Sequence, residues 1–202
     1  MSTPARTEAV EGLTWHDGLL LGYQPMDDVH EEFVRVVAAL QAASDADRSR
    51  CLDAVAERLK ARLAKVVVGD PSVEGVKMGA LASHAQQADV AERVALLRQS
   101  AELVFGGGAD FQPVGEGVAQ GAFFQPTLLL CQKPLQTDSV HDVEAFGPVS
   151  TLMPYEGVEQ ALMLAARGQG SLVGTLVTRD PAVAAQVIPV AAALHGRLHI
   201  LD

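Results

Sequence analysis

Between Leu103 and Leu201 the chain alternates short apolar runs with amphipathic stretches, and this alternation restricts its architecture more than any other feature. Leu103-Val104-Phe105, Phe123 to Leu130, Val149 to Leu152, Leu172 to Thr178 and Arg197 to Leu201 are short, β-branched or leucine-rich, and bounded by turn residues. Runs of that kind read as buried strands. Asp89 to Ala101 precedes the first of them, and Val158 to Ala166 and Pro181 to Leu194 lie between later ones, with apolar residues at helical spacing, as in Val90, Val94 and Leu97. Strands separated by helices predict an α/β fold, a mostly parallel sheet with helices on both faces. Lys65-Val66-Val67-Val68 is a short β-branched run stopped by the turn chemistry of Gly69-Asp70-Pro71, and Gly106 to Gly121 reads as a glycine-rich excursion.

The upstream part is different. Residues 1–12 read as a flexible leader and residues 13–53 as a small α-helical segment preceding the α/β part at 54–202. Pro25 opens a helix with Asp27, Asp28, Glu31 and Glu32 near its start, where the positive end of the helix dipole favours them. Val29, Phe33, Val36, Val37 and Leu40 form its apolar face, and Ser44-Asp45 caps a second helix carrying Cys51, Leu52, Val55, Leu59 and Leu63. At 202 residues and 49% hydrophobic content the chain suits one full domain, or a small domain plus a fragment. A net charge of −10 argues against nucleic acid and anionic membrane surfaces as partners. The longest apolar runs, such as Ala182 to Leu194, are too short to span a bilayer, and Met1 to Glu8 lacks the apolar core of a signal peptide. Cys51 and Cys131 make no disulfide framework, so the expectation is a cytoplasmic protein with reduced thiols.

Glu144-Ala145-Phe146-Gly147-Pro148 places a carboxylate two residues before an aromatic ring and a turn, a pairing suited to a flat, hydroxylated ligand. It resembles the E-x-F-G-P signature of aldehyde dehydrogenases. Further landmarks of that family follow in order: Val68-Gly69-Asp70-Pro71, Gly79-Ala80-Leu81, Leu103 to Gly107, and Phe124-Gln125-Pro126-Thr127-Leu128. After the signature come Gly170-Ser171-Leu172, Gly174 to Thr178 and Gly196-Arg197-Leu198. Residues 54–202 are thus similar to the C-terminal part of the family's catalytic domain. The wording is most similar to the ring-cleavage semialdehyde dehydrogenases of phenylacetate degradation, which act on CoA-linked substrates.

The resemblance implies oxidation of an aldehyde to a carboxylate, with NAD or NADP as hydride acceptor. It implies that Glu144 holds the nicotinamide ribose and that Phe146 lies against the nicotinamide. Thiolate attack by a cysteine opens the reaction in this family, and a glutamate base assists hydrolysis. Both residues, with the dinucleotide domain, precede the region of resemblance. No G-x-G-x-x-G loop follows a strand in residues 1–65, and Gly106-Gly107-Gly108 opens no helix. Cys51 sits mid-helix beside Arg48 and Arg50, without the family's surrounding motif, and Cys131 ends an apolar strand. No catalytic residue is assigned, and Glu144 and Phe146 are read as a vestigial NAD(P) site.

Trp15-His16-Asp17, Leu21-Gly22-Tyr23 and Met26 to Phe33 are similar to the opening of hemerythrin-like proteins, and His30 matches an iron ligand of that family. Such a site needs further histidines and carboxylates from later helices, and Asp53 to Arg62 contains no histidine. His16 belongs to the arm, His84 and His141 lie near loops, and His195 and His199 flank the last strand, their four-residue spacing read as chance. The expectation is a fusion: a hemerythrin-like start joined to an aldehyde dehydrogenase fragment inactive on its own. The alternatives are an iron- or oxygen-binding module using His30, and a non-catalytic protein that self-associates through exposed sheet edges.

Overall fold

A computed structural model describes residues 48–107 and 111–201. The first element, α1 (Arg48–Leu63), is continuous through positions 53 and 54, buries Ala56 and packs on the first strand. The β-branched run at Lys65–Val68 forms no strand. Val68 makes a single bridge to Met78 and Gly69 another to Val114, both parallel. The turn residues at 69–71 leave too little extended chain for a ladder, and Val67 and Val68 instead accept backbone bonds from Lys77, Met78 and Val114.

Helix α2 (His84–Leu97) begins five residues before the expected Asp89. Ser83 is the reason: its hydroxyl accepts from the Gln86 backbone N–H and satisfies one of the donors left open in the first turn. Val90, Val94 and Leu97, spaced by four and three, form its buried stripe. Strand β1 (Glu102–Phe105) pairs antiparallel with β2 (Thr127–Leu130), with a bulge between Leu103 and Phe105. Strand β2 pairs parallel with β3 (Val149–Leu152), setting Leu129 opposite Thr151. All four residues of β2 are buried, which is what a central strand covered on both faces requires.

A short helix α3 (Ser139–Asp142) precedes β3, and α4 (Gly157–Arg167) follows it. A second sheet contains β4 (Ser171–Val177) and β5 (His195–Leu201), parallel to each other, with α5 (Pro181–Ala191) between them in sequence. Helix α5 starts as the sequence predicts: Asp180 caps it by accepting from Ala182 N at 2.8 Å, and Pro181 occupies the first turn. It packs on α4 and β5. The fold is α/β, with two parallel strand pairs and one antiparallel pair divided between two small sheets. The core lies between α2 and the first sheet, where Leu97, Ala101, Leu129, Cys131 and Val140 cluster. No described helix is long and apolar enough to cross a membrane.

Candidate cofactor-binding site

From Val143 to Phe146 the burial of successive residues alternates, and the Gly147 N–H closes a tight turn around Phe146 by donating to the Ala145 carbonyl at 2.7 Å. Val143 and Ala145 pack against the cluster of Leu97, Leu129 and Cys131. Glu144 and Phe146, the residues between and after them, are both exposed, Phe146 to 70%. Burial of two small apolar residues thus presents an acid and a ring together. This is the pair that the sequence singles out.

Three contacts hold the segment. The Gln86 side-chain amide donates to the Phe146 carbonyl oxygen at 2.7 Å, while its own carbonyl oxygen accepts from Ala82 N at 3.0 Å. Gly147 lies against α2: a Cβ there would stand 2.8 Å from Val90 Cγ2, so only glycine permits the approach. The Pro148 carbonyl accepts from Thr127 N at 2.8 Å, which starts the β2–β3 ladder and fixes the segment's register. Gln86 is a residue that sequence reasoning missed. Its signal was the capping-box pattern Ser83-His84-Ala85-Gln86.

The other candidates are dispersed. His84 opens α2, its ring bonded to Gln87 Oε1 at 3.1 Å and to the Gln120 carbonyl oxygen at 3.0 Å, which fastens the loop before β2 to the helix. His141 Nε2 lies 2.8 Å from the Pro134 carbonyl oxygen, which also accepts from Arg167. His195 and His199 lie on β5, about 13 Å apart at strand rise, too far to share an ion. Among the described residues no cluster of three metal-ligating side chains occurs. His30, and the side chain of Cys51, lie outside the described residues. Cys131 is only 1% exposed, a core thiol as its place at the end of an apolar strand predicts.

Residues 48–195 match the aldehyde dehydrogenase family. The chain is 48% identical over 149 residues to the 3,4-dehydroadipyl-CoA semialdehyde dehydrogenase of Aromatoleum evansii, covering 74% of this chain and 29% of that protein. It is 49% identical over 126 residues to Protein MaoC of Klebsiella aerogenes, covering 62% and 36% of the two chains. A betaine aldehyde dehydrogenase variant of Staphylococcus aureus, crystallised in complex with NAD+, superposes with a TM-score of 0.64 at 22% identity, over 79% of this chain and 30% of that one. The chain therefore spans about a third or less of the length of these proteins. With the family match extending over most of its residues, this chain belongs to the aldehyde dehydrogenase family.

Proposed function

We propose that this chain forms the nicotinamide-facing wall of an NAD(P)-dependent aldehyde dehydrogenase site, for a CoA-linked semialdehyde, and that it does not turn over alone. The joint outward projection of Glu144 and Phe146 carries this reading. A carboxylate accepts hydrogen bonds from ribose hydroxyls, and an exposed phenyl ring offers an apolar face to a nicotinamide. NAD(P), when bound, accepts the hydride. Gln86 and Val90 keep the acid and ring in place from α2. Support for the substrate class is the identity to a CoA-linked semialdehyde dehydrogenase.

The residues fit the nicotinamide end of the cofactor only. Gly106 and Gly107 follow β1 at positive φ, but each is used in packing the chain. A Cβ at Gly106 would lie 2.1 Å from the Pro126 carbonyl oxygen, and one at Gly107 3.3 Å from Leu103. They make a close-packed turn, not a phosphate cradle. Nor does Cys131 offer a nucleophile, because it is sealed in the core that Ala145 covers.

NMR titration of the purified chain with NAD+, beside an absorbance assay with semialdehyde and NAD+, tests both parts. Amides from Val143 to Gly147 should shift with weak affinity, an effect lost in Glu144→Ala, and no NADH should form. Unshifted amides would remove the cofactor assignment. Steady NADH production by the chain alone would overturn its inactivity.

A further inference from the structure

We infer that the stretch Asp27 to Leu40 of this chain seats antiparallel along α1 and fills an apolar groove between α1 and the end of β3. Among the described residues of α1 only Ala56 is buried. Leu52, Val55, Leu59 and Leu63 are half-buried, and their spacing of three, four and four sets them in one row along the helix. Against Leu52 and Val55 lies an open groove of about 430 Å³, walled on its other side by Leu152, Met153, Tyr155 and Val158. All of these side chains are apolar or aromatic, and Tyr155 is 57% exposed. A groove without converging polar groups suits the apolar face of a helix rather than a polar small molecule.

The stretch that reaches this groove lies outside the described residues. Its sequence sets Val29, Phe33, Val36, Val37 and Leu40 on one helical face, and the pattern breaks at Ser44 to Asp47, directly before α1. Four residues span at most about 14 Å. A parallel return alongside the 16 residues of α1 needs about 24 Å, so the connection turns the chain back antiparallel. In that orientation a single register serves both rows. Leu40 meets Leu52, Val36 meets Val55, Phe33 meets Leu59 and Val29 meets Leu63. Leu40 and Val37 are then the residues that enter the groove, because it lies against Leu52 and Val55.

Charge selects the same orientation. Asp27, Asp28, Glu31 and Glu32 come alongside Lys60 and Arg62, the basic residues in the last turn of α1. Opposite charges along such an edge fix orientation more than they add affinity. A second copy would offer the same apolar face, but only after an association step that the short tether within one chain avoids. Because α1 is continuous through positions 53 and 54, no hinge separates that tether from the α/β part. The groove lies beyond the carboxyl end of β3, whereas Glu144 and Phe146 precede its start. A helix docked there leaves the cofactor-facing pair open.

Methyl and aromatic NOE spectra of the full chain test the seat, recorded on uniformly labelled protein and on a mixture of labelled and unlabelled chains. Cross-peaks should join Leu40 to Leu52, Val36 to Val55 and Phe33 to Leu59, and none of them should arise between chains in the mixture. Phe33→Glu should abolish all three and speed amide exchange from Val55 to Leu63 about tenfold or more. It should also lower Tm by several degrees, while the Leu97–Leu129 cross-peaks of the core persist. If that variant loses the core cross-peaks, Phe33→Ala should show the same changes in smaller measure with the core intact. Absence of the three contacts in the parent chain overturns the proposal. Contact of Leu40 with Leu63, the mark of a parallel arrangement, overturns it as well. Contacts seen only between chains assign the groove to a second copy and overturn it too.

Discussion

Gln86 on the first turn of α2 donates to the Phe146 carbonyl oxygen at 2.7 Å across sixty residues of sequence. The same side chain accepts from Ala82 N, so helix start and ligand-facing segment share one amide. Gln86→Ala should remove both bonds and destabilise the chain by about 1–2 kcal/mol, a fall of several degrees in Tm. Gln86→Glu retains the acceptor for Ala82 N and loses only the donor to Phe146. It should melt close to the parent while raising amide exchange at Phe146 and Gly147, which separates the two roles.

Gly147 is held against Val90, which is fully buried. Gly147→Ala drives a methyl into Val90 Cγ2, and overpacking of this kind costs about 1–3 kcal/mol. Val90→Ala on its own opens a cavity, but in the Gly147→Ala background it makes room for the new methyl. The double variant should be more stable than the sum of the single losses predicts, by about 0.5 kcal/mol or more in a denaturant cycle.

Position decides cost elsewhere in the sheets. Leu129 has no exposed surface, whereas Leu172 is 88% exposed. Leu129→Ala should cost about 2–5 kcal/mol through lost burial and a residual cavity. Leu172→Ser should stay within about 0.5 kcal/mol. Equal losses at the two sites in urea unfolding would mean that Leu172 is covered within the chain itself, contrary to its exposure.

Strand β3 falls at Val149–Leu152, as the sequence predicts, because Pro148 and Pro154 bound this short stretch on both sides. Strand β2 was legible for a related reason: a strand buried on both faces is a continuous apolar run with no polar face to read. The start of α2 was not read, because its signal is a capping pattern rather than periodicity, and the apolar stripe begins only at Val90. Nothing local announces that β1 and β2 run antiparallel, since the loop between them could return the chain in either direction. Lys65–Val68 has strand composition but no neighbour long enough to pair with, and pairing is a tertiary fact. At the site, Glu144 and Phe146 ahead of the Gly147-Pro148 turn were legible as a pair, and the apolar Val143 and Ala145 beside them are the residues that turn inward. The tether from Gln86 spans two distant segments and could be seen only once they were folded together.

Asp70 offers a pH test independent of any ligand. Its Oδ1 accepts from Ser72 N at 2.9 Å, and hydrogen bonds from the Ser72 backbone and side chain hold its carboxyl below the ordinary aspartate value of 3.8. A lowered folded-state value means that the unfolded chain takes up the proton first on acidification. The turn's contribution is therefore complete above about pH 4 and is lost as pH falls through the folded value. Asp70→Asn keeps an oxygen acceptor for Ser72 N but has no proton to gain. The Ser72 amide resonance should titrate in the parent with a midpoint below 3.8 and remain flat in Asp70→Asn. Because Asp70 is only partly covered and its bonds come from one exposed neighbour, its effect on global stability should be small. A midpoint at or above 3.8 would mean that the Ser72 bonds do not persist in solution.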